Sequence, residues 1–373
     1  MKAPVSRVIA PLLTAGAVMA VARRAGRRDR DDLRGEVAVV TGASRGLGLL
    51  LARELAGHGC PLVICARDGA ELERAATELR AHGAEVTTVV CDVADEASPQ
   101  LLVDTAIERY GRLDIVLSNA GIIQVGPVSA AQPADYETAL ATMALAPARL
   151  ALAALPVMRG QGHGRIVTIT SIGGKISVPH LLPYSMAKFA AVGFSEGLRA
   201  ELGRGPVTVT TVVPGLMRTG SHLQARFTGQ ADKEFTWFSL GASLPLISMD
   251  AERAARQIVA AVRAGRAEVI LTPVGQVVSR VAGIVPELTS EVLHLVQQLA
   301  LPGPASRGPG EPAPGHDLNP AMGQRAFDRL TTLGRAAARR FNELPPGRHR
   351  AGPAATKATG PAGNTGSAHT TES

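Results

Sequence analysis

Short apolar runs recur along the chain at 37–41, 61–66, 86–91, 114–118, 165–170, 207–213 and 268–272. Each is continuously apolar rather than alternating, the pattern of a strand buried on both faces. Between them lie stretches with apolar residues three and four apart, including 68–82, 98–110, 135–158 and 184–202. That spacing gives a helix one buried face. Alternating strands and helices with fully buried strands predict an α/β fold, a Rossmann-like doubly wound parallel sheet. A ligand of such a sheet sits outside the carboxyl ends of the strands, so the residues that follow each apolar run are the first to read for chemistry.

The first run is followed by Thr41-Gly42-Ala43-Ser44-Arg45-Gly46-Leu47-Gly48, and a helical pattern through Leu51 and Leu55 opens directly after it. Strand, glycine turn and helix together form a dinucleotide-type unit. The glycines let the backbone approach a pyrophosphate, and the helix N-terminal N–H groups face it. The fifth run ends at Thr170, and Ser171 comes next. Thirteen residues later stands Tyr184-Ser185-Met186-Ala187-Lys188. Residues four apart share a helix face, so the Lys188 ammonium is expected beside the Tyr184 phenol. A nearby cation favours phenolate and would lower the tyrosine pKa from about 10. Ser171 is placed to hydrogen-bond the same substrate oxygen.

With these motifs in one order, the chain resembles the classical short-chain dehydrogenase/reductase family from about Leu33 to Thr219. The motifs are the glycine turn, Asp92 with Val93 after the third strand, Asn119-Ala120-Gly121 after the fourth, Ser171, Tyr184 and Lys188, and Pro214-Gly215 with Thr219 after the sixth. The resemblance implies hydride transfer between a nicotinamide and a carbonyl or alcohol carbon. It makes Ser171, Tyr184 and Lys188 the catalytic set. Gly42, Ser44, Arg45, Gly46, Leu47, Gly48, Arg67, Asp92, Val93, Asn119, Ala120, Gly121, Tyr184, Lys188, Pro214, Gly215 and Thr219 become the cofactor contacts. No metal is expected.

The second strand ends Cys65-Ala66-Arg67-Asp68. Ala66 stands where an NAD-preferring enzyme places the acid that holds the ribose hydroxyls. Arg67 and Arg45 offer two guanidinium groups suited to a 2′-phosphate, so NADP(H) is expected over NAD(H). Asp68 is read as the cap of the next helix. One position departs from the family. The helix before Ser171 usually carries an Asn whose carbonyl helps to hold a proton-relay water, and the matching residue here is Met143. Pro147 lacks the N–H that would bond the carbonyl four residues earlier. The Met143 carbonyl is therefore expected to stay available, with plain core packing of Met143 as the alternative.

Four of the eleven aromatic residues, Phe227, Phe235, Trp237 and Phe238, crowd into a lid expected over 221–246. They would either line an apolar pocket or anchor the segment. The net charge of +7 is uneven: residues 1–34 carry +5, residues 301–373 carry +4, and the centre carries −2. The basic excess belongs to the ends, which argues against nucleic acid as a partner. Cys60, Cys65 and Cys91 lack metal-ligand spacing and fit a reducing compartment.

The chain divides into a leader (1–34), the Rossmann-fold domain (35–272), a helical extension (273–300) and a Pro/Gly-rich, mostly disordered tail (301–373). Val8 to Ala22 is apolar with basic flanks. At 1.5 Å per residue it is short of a bilayer core, and membrane anchor, plain leader and signal peptide all remain open for it. Within the tail, Ala326 to Asn342 is read as a solvated helix. The expected protein is a cytoplasmic or membrane-associated homo-oligomer acting on an apolar carbonyl or alcohol. The rival reading is a catalytically silent NADP(H)-binding sensor or scaffold.

Overall fold

The computed structural model describes residues 32–245, 248–303 and 311–344. The apolar stretch 8–22 and the remainder of the tail lie outside the described residues. Seven parallel strands form the central sheet: β1 (Ala38–Thr41), β2 (Leu62–Ala66), β3 (Val86–Val90), β4 (Ile115–Ser118), β5 (Gly164–Ile169), β6 (Val207–Val213) and β7 (Glu268–Ile270), ordered β7-β6-β5-β4-β1-β2-β3. The order reverses at β1, which pairs with β2 on one side (Ala38 with Leu62) and with β4 on the other (Ala38 with Ile115). This is the doubly wound arrangement that the apolar runs predict.

The pleat sends successive side chains to opposite faces, and each face has its own core. Ala38, Val40, Leu62, Ile64, Ile115 and Leu117 face one layer. Val39, Val63, Cys65 and Val116 face the other. The first layer is closed by α1 (Gly46–Gly57) and α2 (Gly69–Ala81). The second is closed by α3 (Ser98–Tyr110) and the long helix α4 (Pro133–Gln161). Leu51 and Leu55 of α1, and Leu150 and Ala154 of α4, are fully or almost fully buried. Asp68 caps α2 by accepting from the Glu71 N–H at 2.9 Å, as its position in the sequence suggests. A proline at the first or second position starts α3 and α4, where the missing N–H costs nothing.

Among the described residues α4 alone is long and apolar enough to cross a membrane. It is half buried within the fold and packs on the sheet, as a core helix does. The helix is not regular. Ala141–Leu145 forms a π turn in which the Ala146 N–H reaches the Ala141 carbonyl five residues back. Helix α5 (Leu182–Leu202) packs beside it and carries the Tyr184-to-Lys188 motif on its first two turns.

Beyond β6 the chain builds the lid helix α6 (Ala231–Ser243), then α7 (Ala251–Arg263), and after β7 the helices α8 (Pro273–Ile284) and α9 (Pro286–Ala300). The described part of the tail, 311–344, does not remain solvated. Ala313–Pro314 pairs antiparallel with Arg226–Phe227, and α10 (Gln324–Leu330) and α11 (Thr332–Arg340) follow. Phe327, Ala337, Ala338, Phe341 and Glu343 are all buried. The apolar face that a basic composition hides is carried by these few side chains, which find partners far away in sequence.

Candidate active site

The glycine turn sits at the carboxyl end of β1, and its geometry requires glycine. Gly42 has φ +63°, and a Cβ there would stand 2.8 Å from the Ala120 Cα. A Cβ on Gly48 would fall 2.0 Å from the Gly42 carbonyl oxygen. Gly46, at φ +55°, opens α1 with Leu47 buried behind it. Asn119 locks the turn from β4: its Nδ2 donates to the Thr41 and Gly42 carbonyls, both at 3.1 Å. The Asn119 and Ala120 N–H groups donate to Thr41 Oγ1 at 3.0 and 3.1 Å. Gly121 faces the Met143 sulfur, which would be 3.4 Å from a Cβ at that position.

At the end of β2, Arg67 is mostly exposed and lies 3.6 Å from Asp92. Asp92 Oδ1 also accepts from the Ala94 N–H at 3.0 Å. Val93 lines a small cavity with Thr41, Ser118, Ala120, Thr142 and Pro147. Arg45 points elsewhere: its Nη1 is 2.6 Å from the Glu71 carboxylate, and the Ser44 hydroxyl donates to the same buried group. Nothing in the sequence singles out Glu71. Its partners are 26 and 27 residues away, a separation at which spacing carries no signal.

Ser171, Tyr184 and Lys188 converge at the carboxyl end of β5. The Ser171 Oγ accepts from the Gly173 N–H at 3.0 Å and, with the Tyr184 ring, flanks Gly173, close enough to act on the phenol. The Lys188 ammonium donates to the Ile169 carbonyl at 2.8 Å and stands 5.8 Å from the centre of the Tyr184 ring. Gly174 lets the loop lie on α5, because a Cβ there would meet the Lys188 carbonyl at 2.6 Å. Burial pushes the Tyr184 phenol above its ordinary value, and Ser171 draws it back only in part. This corrects the expectation of a lowered tyrosine pKa. Desolvation, which penalises phenolate, outweighs the interactions that favour it. Burial also lowers the Lys188 ammonium to about 8.

Pro214, Gly215 and Thr219 border the same cleft after β6. The Pro214 carbonyl accepts from the Ile172 N–H at 2.7 Å, tying this loop to the residue after Ser171. Thr219 is buried, with its hydroxyl accepting from the Ser221 N–H at 3.2 Å.

Two readings that the sequence leaves open are narrowed. Met143 is 1 % exposed and packs with Ala139, Ala187 and the Tyr184 ring, so its side chain is core. The π turn replaces the four-residue pairing on which the expected Met143 carbonyl rests, with the Ala146 N–H on the Ala141 carbonyl five residues back. The aromatic cluster is an anchor rather than a pocket wall: Phe227, Phe235 and Phe238 are at most 3 % exposed and pack with Val125, Leu181 and Phe327. Trp237 donates to Glu234 at 2.6 Å, and Glu234 holds His180 at 2.8 Å. Both His180 and Glu234 are buried, which fastens the lid to the loop between Ser171 and Tyr184.

Comparisons with known proteins agree with this geometry. The short-chain dehydrogenase family model matches residues 36–228. A Streptomyces violaceoruber protein assigned as a ketoacyl reductase of the granaticin polyketide synthase is 37% identical over 219 residues, covering 56% of this chain and 79% of its own. A dehydrogenase/reductase SDR family protein 7-like of Anopheles gambiae is 32% identical over 255 residues, covering 66% and 78%. Among solved structures, a short-chain dehydrogenase/reductase of Burkholderia phymatum in complex with NAD has TM-score 0.62 at 26% identity, over 74% of this chain and 99% of that one. L-sorbose reductase of Gluconobacter frateurii, complexed with NADPH and L-sorbose, gives 0.58 at 26% identity, over 64% and 95%. A nicotinamide-type glycine turn, a Ser–Tyr–Lys cluster on one strand end and these relatives all agree, and the chain belongs to the short-chain dehydrogenase/reductase family of nicotinamide-dependent oxidoreductases.

Proposed function

We propose that this protein transfers hydride between NADP(H) and the carbonyl or secondary alcohol of a small apolar molecule. The observation that carries the reading is the meeting of Ser171 and Tyr184 beside a buried Lys188, all at the carboxyl end of β5. The glycine cradle fits a dinucleotide: Gly42, Gly46 and Gly48 leave backbone where any Cβ would intrude, and Thr219 and Asn119 flank it. A bound nicotinamide supplies or accepts the hydride. Tyr184 gives its proton to the forming alkoxide in reduction, since burial keeps the phenol protonated at neutral pH. Ser171 orients the carbonyl and stabilises the developing charge. Lys188 holds positive charge beside the phenol.

NADP(H) is favoured because Ala66 leaves no carboxylate at the end of β2, while Arg67 is exposed beside Asp92. The pairing of Arg45 with Glu71 makes Arg67 the more accessible cation for a 2′-phosphate. An apolar substrate follows from Ile122, Ile123, Val178 and Leu216, which lie partly exposed around Tyr184. Exposed apolar residues on α8 and α9, among them Val277, Ile284, Leu288 and Leu299, together with the 8–22 stretch, support contact with the cytoplasmic face of a membrane. Exposed Leu145, Leu152, Met186 and Phe189 on α4 and α5 support a homo-oligomer.

The test is titration of the full chain with NADPH and NADH, then NADPH oxidation against apolar ketones and aldehydes. Tighter NADPH binding with turnover is the expected result. Preference for NADH would overturn the role given to Arg67, and binding without turnover on any substrate would point to a sensor. Co-sedimentation with anionic vesicles tests the membrane contact, which fails if the chain stays in the supernatant.

A further inference from the structure

The last described residues lie on the glycine turn. The Gly46 N–H, at the head of α1, donates to the Phe341 carbonyl at 2.9 Å. Asn342 Nδ2 donates to the Ser44 carbonyl at 2.8 Å and the Glu71 carbonyl at 3.0 Å, and its Oδ1 accepts from Arg74 at 3.2 Å. The Glu343 side chain fills the space between the turn and the loop after β6. Its Oε1 would be 2.8 Å from a Cβ on Gly46, and its Oε2 2.6 Å from a Cβ on Gly220. The absence of side chains at Gly46 and Gly220 creates room over the helix head, and the tail occupies that room.

We propose that residues 341–343 are a built-in competitor for the dinucleotide, so that the docked tail and a bound diphosphate exclude one another. This rests on the cofactor reading above. A diphosphate needs the α1 N-terminal N–H groups and the clearance over Gly46, and these are the N–H and the space that Phe341 and Glu343 use. Asn342 meanwhile occupies the Ser44 carbonyl and the start of α2, on the adenosine-ribose side.

The seam is built to open. Phe341 is firmly seated, with the Arg53 and Arg340 guanidinium groups 5.9 and 5.5 Å from its ring centre. Yet the same seam buries polar groups that have no hydrogen-bond partner among the described residues: Glu343 Oε1, His222 Nδ1, Ser243 Oγ and, one turn earlier on α6, Ser239 Oγ. Gly334 of α11 packs directly on His222 and Ser243. Each unmet group loses water without a replacement, which weakens the docked state. Glu343 adds to this. Burial raises its carboxyl to about 7; the Gly220 N–H and Arg45 lower it, and Glu71 raises it further. Burying an ionised carboxylate here is costly, so the tail docks best with Glu343 protonated.

Hydrogen exchange of the full chain, with and without saturating NADPH, tests the proposal, alongside NADPH affinity of the wild type, Phe341→Ala and Asn342→Ala. Cofactor should speed exchange of the 332–344 amides about tenfold or more, and both variants should bind NADPH about tenfold tighter. If NADPH binds while those amides stay unchanged or slow down, the tail and cofactor coexist and the proposal is overturned, whether or not either variant folds. If neither the wild type nor a folded variant binds NADPH or NADH, the cofactor reading itself has failed.

Discussion

The two halves of the cleft are held in opposite ways. Around Ser171, Tyr184 and Lys188 the hydrogen-bond partners come from nearby chain: Gly173 two residues from Ser171, and Ile169 nineteen residues from Lys188. Around the glycine turn, the Ser44 carbonyl and the Gly46 N–H take their partners from residues 341–342, almost three hundred positions away. The first half is set by its own strand and helix and keeps its geometry wherever the tail is. The second half has its geometry set locally, by Gly42 and Asn119, but its access set remotely.

The largest expected effect breaks the first half alone. Tyr184→Phe removes the proton donor and should cut turnover by about 10²–10⁴-fold, while NADPH affinity, read by fluorescence titration, stays near that of the wild type. Equal loss of binding would mean that the phenol serves the cofactor instead. Next, Glu234→Leu leaves His180 and the Trp237 N–H without their shared partner. Breaking a buried charged network costs about 3 kcal/mol or more, and thermal unfolding should show a drop of many degrees. An unchanged melting curve would show that the aromatic cluster anchors the lid by itself.

The remaining tests have smaller effects. Gly42→Ala forces a side chain into positive φ against Ala120 and should cost about 1–3 kcal/mol of stability, seen in urea unfolding, with weakened binding of either dinucleotide. Arg67→Ala should reduce the NADPH-to-NADH affinity ratio by about tenfold. No change in that ratio would return the role to Arg45. The smallest change concerns pH. Lys188 is protonated below its value of about 8, so kcat/KM for reduction should be level from pH 6 and decline as pH rises through 8. Lys188→Arg, which keeps the charge, should remove that decline if the mutant turns over, whereas persistence of the decline would assign it to another group.

How much of this was legible in the sequence follows the same division. Parallel strands buried on both faces declare themselves as continuous apolar runs, and the motifs fall at their carboxyl ends, so the sheet, the glycine turn and the Ser171–Tyr184–Lys188 cluster could be read directly. Spacing places Lys188 beside Tyr184 but says nothing of how deeply the phenol is buried, and that burial raises it. Glu71, His180 with Glu234, and Phe341 to Glu343 could not be read, because each acts through a partner distant in sequence. A Pro/Gly-rich composition with few large apolar residues suggested a solvated tail. Four or five well-placed side chains were enough to dock it.

The π turn in α4 has a consequence for how this helix can vary. A five-residue turn is a helix carrying one residue too many, and each residue advances an α-helix by about 100°. Deleting one residue between Ala141 and Leu145 would restore regular pairing at no cost in hydrogen bonds. It would leave Pro133–Leu140 near its present phase against the rest of α4, because the wide turn already absorbs the extra residue. The wide turn therefore works as a phase adjuster: it lets one continuous helix present Leu150 and Ala154 to the sheet and Ala139 with Met143 to the tyrosine. A single deletion within 141–145 should be tolerated better than one elsewhere in α4, which would turn one end by about 100° against the other.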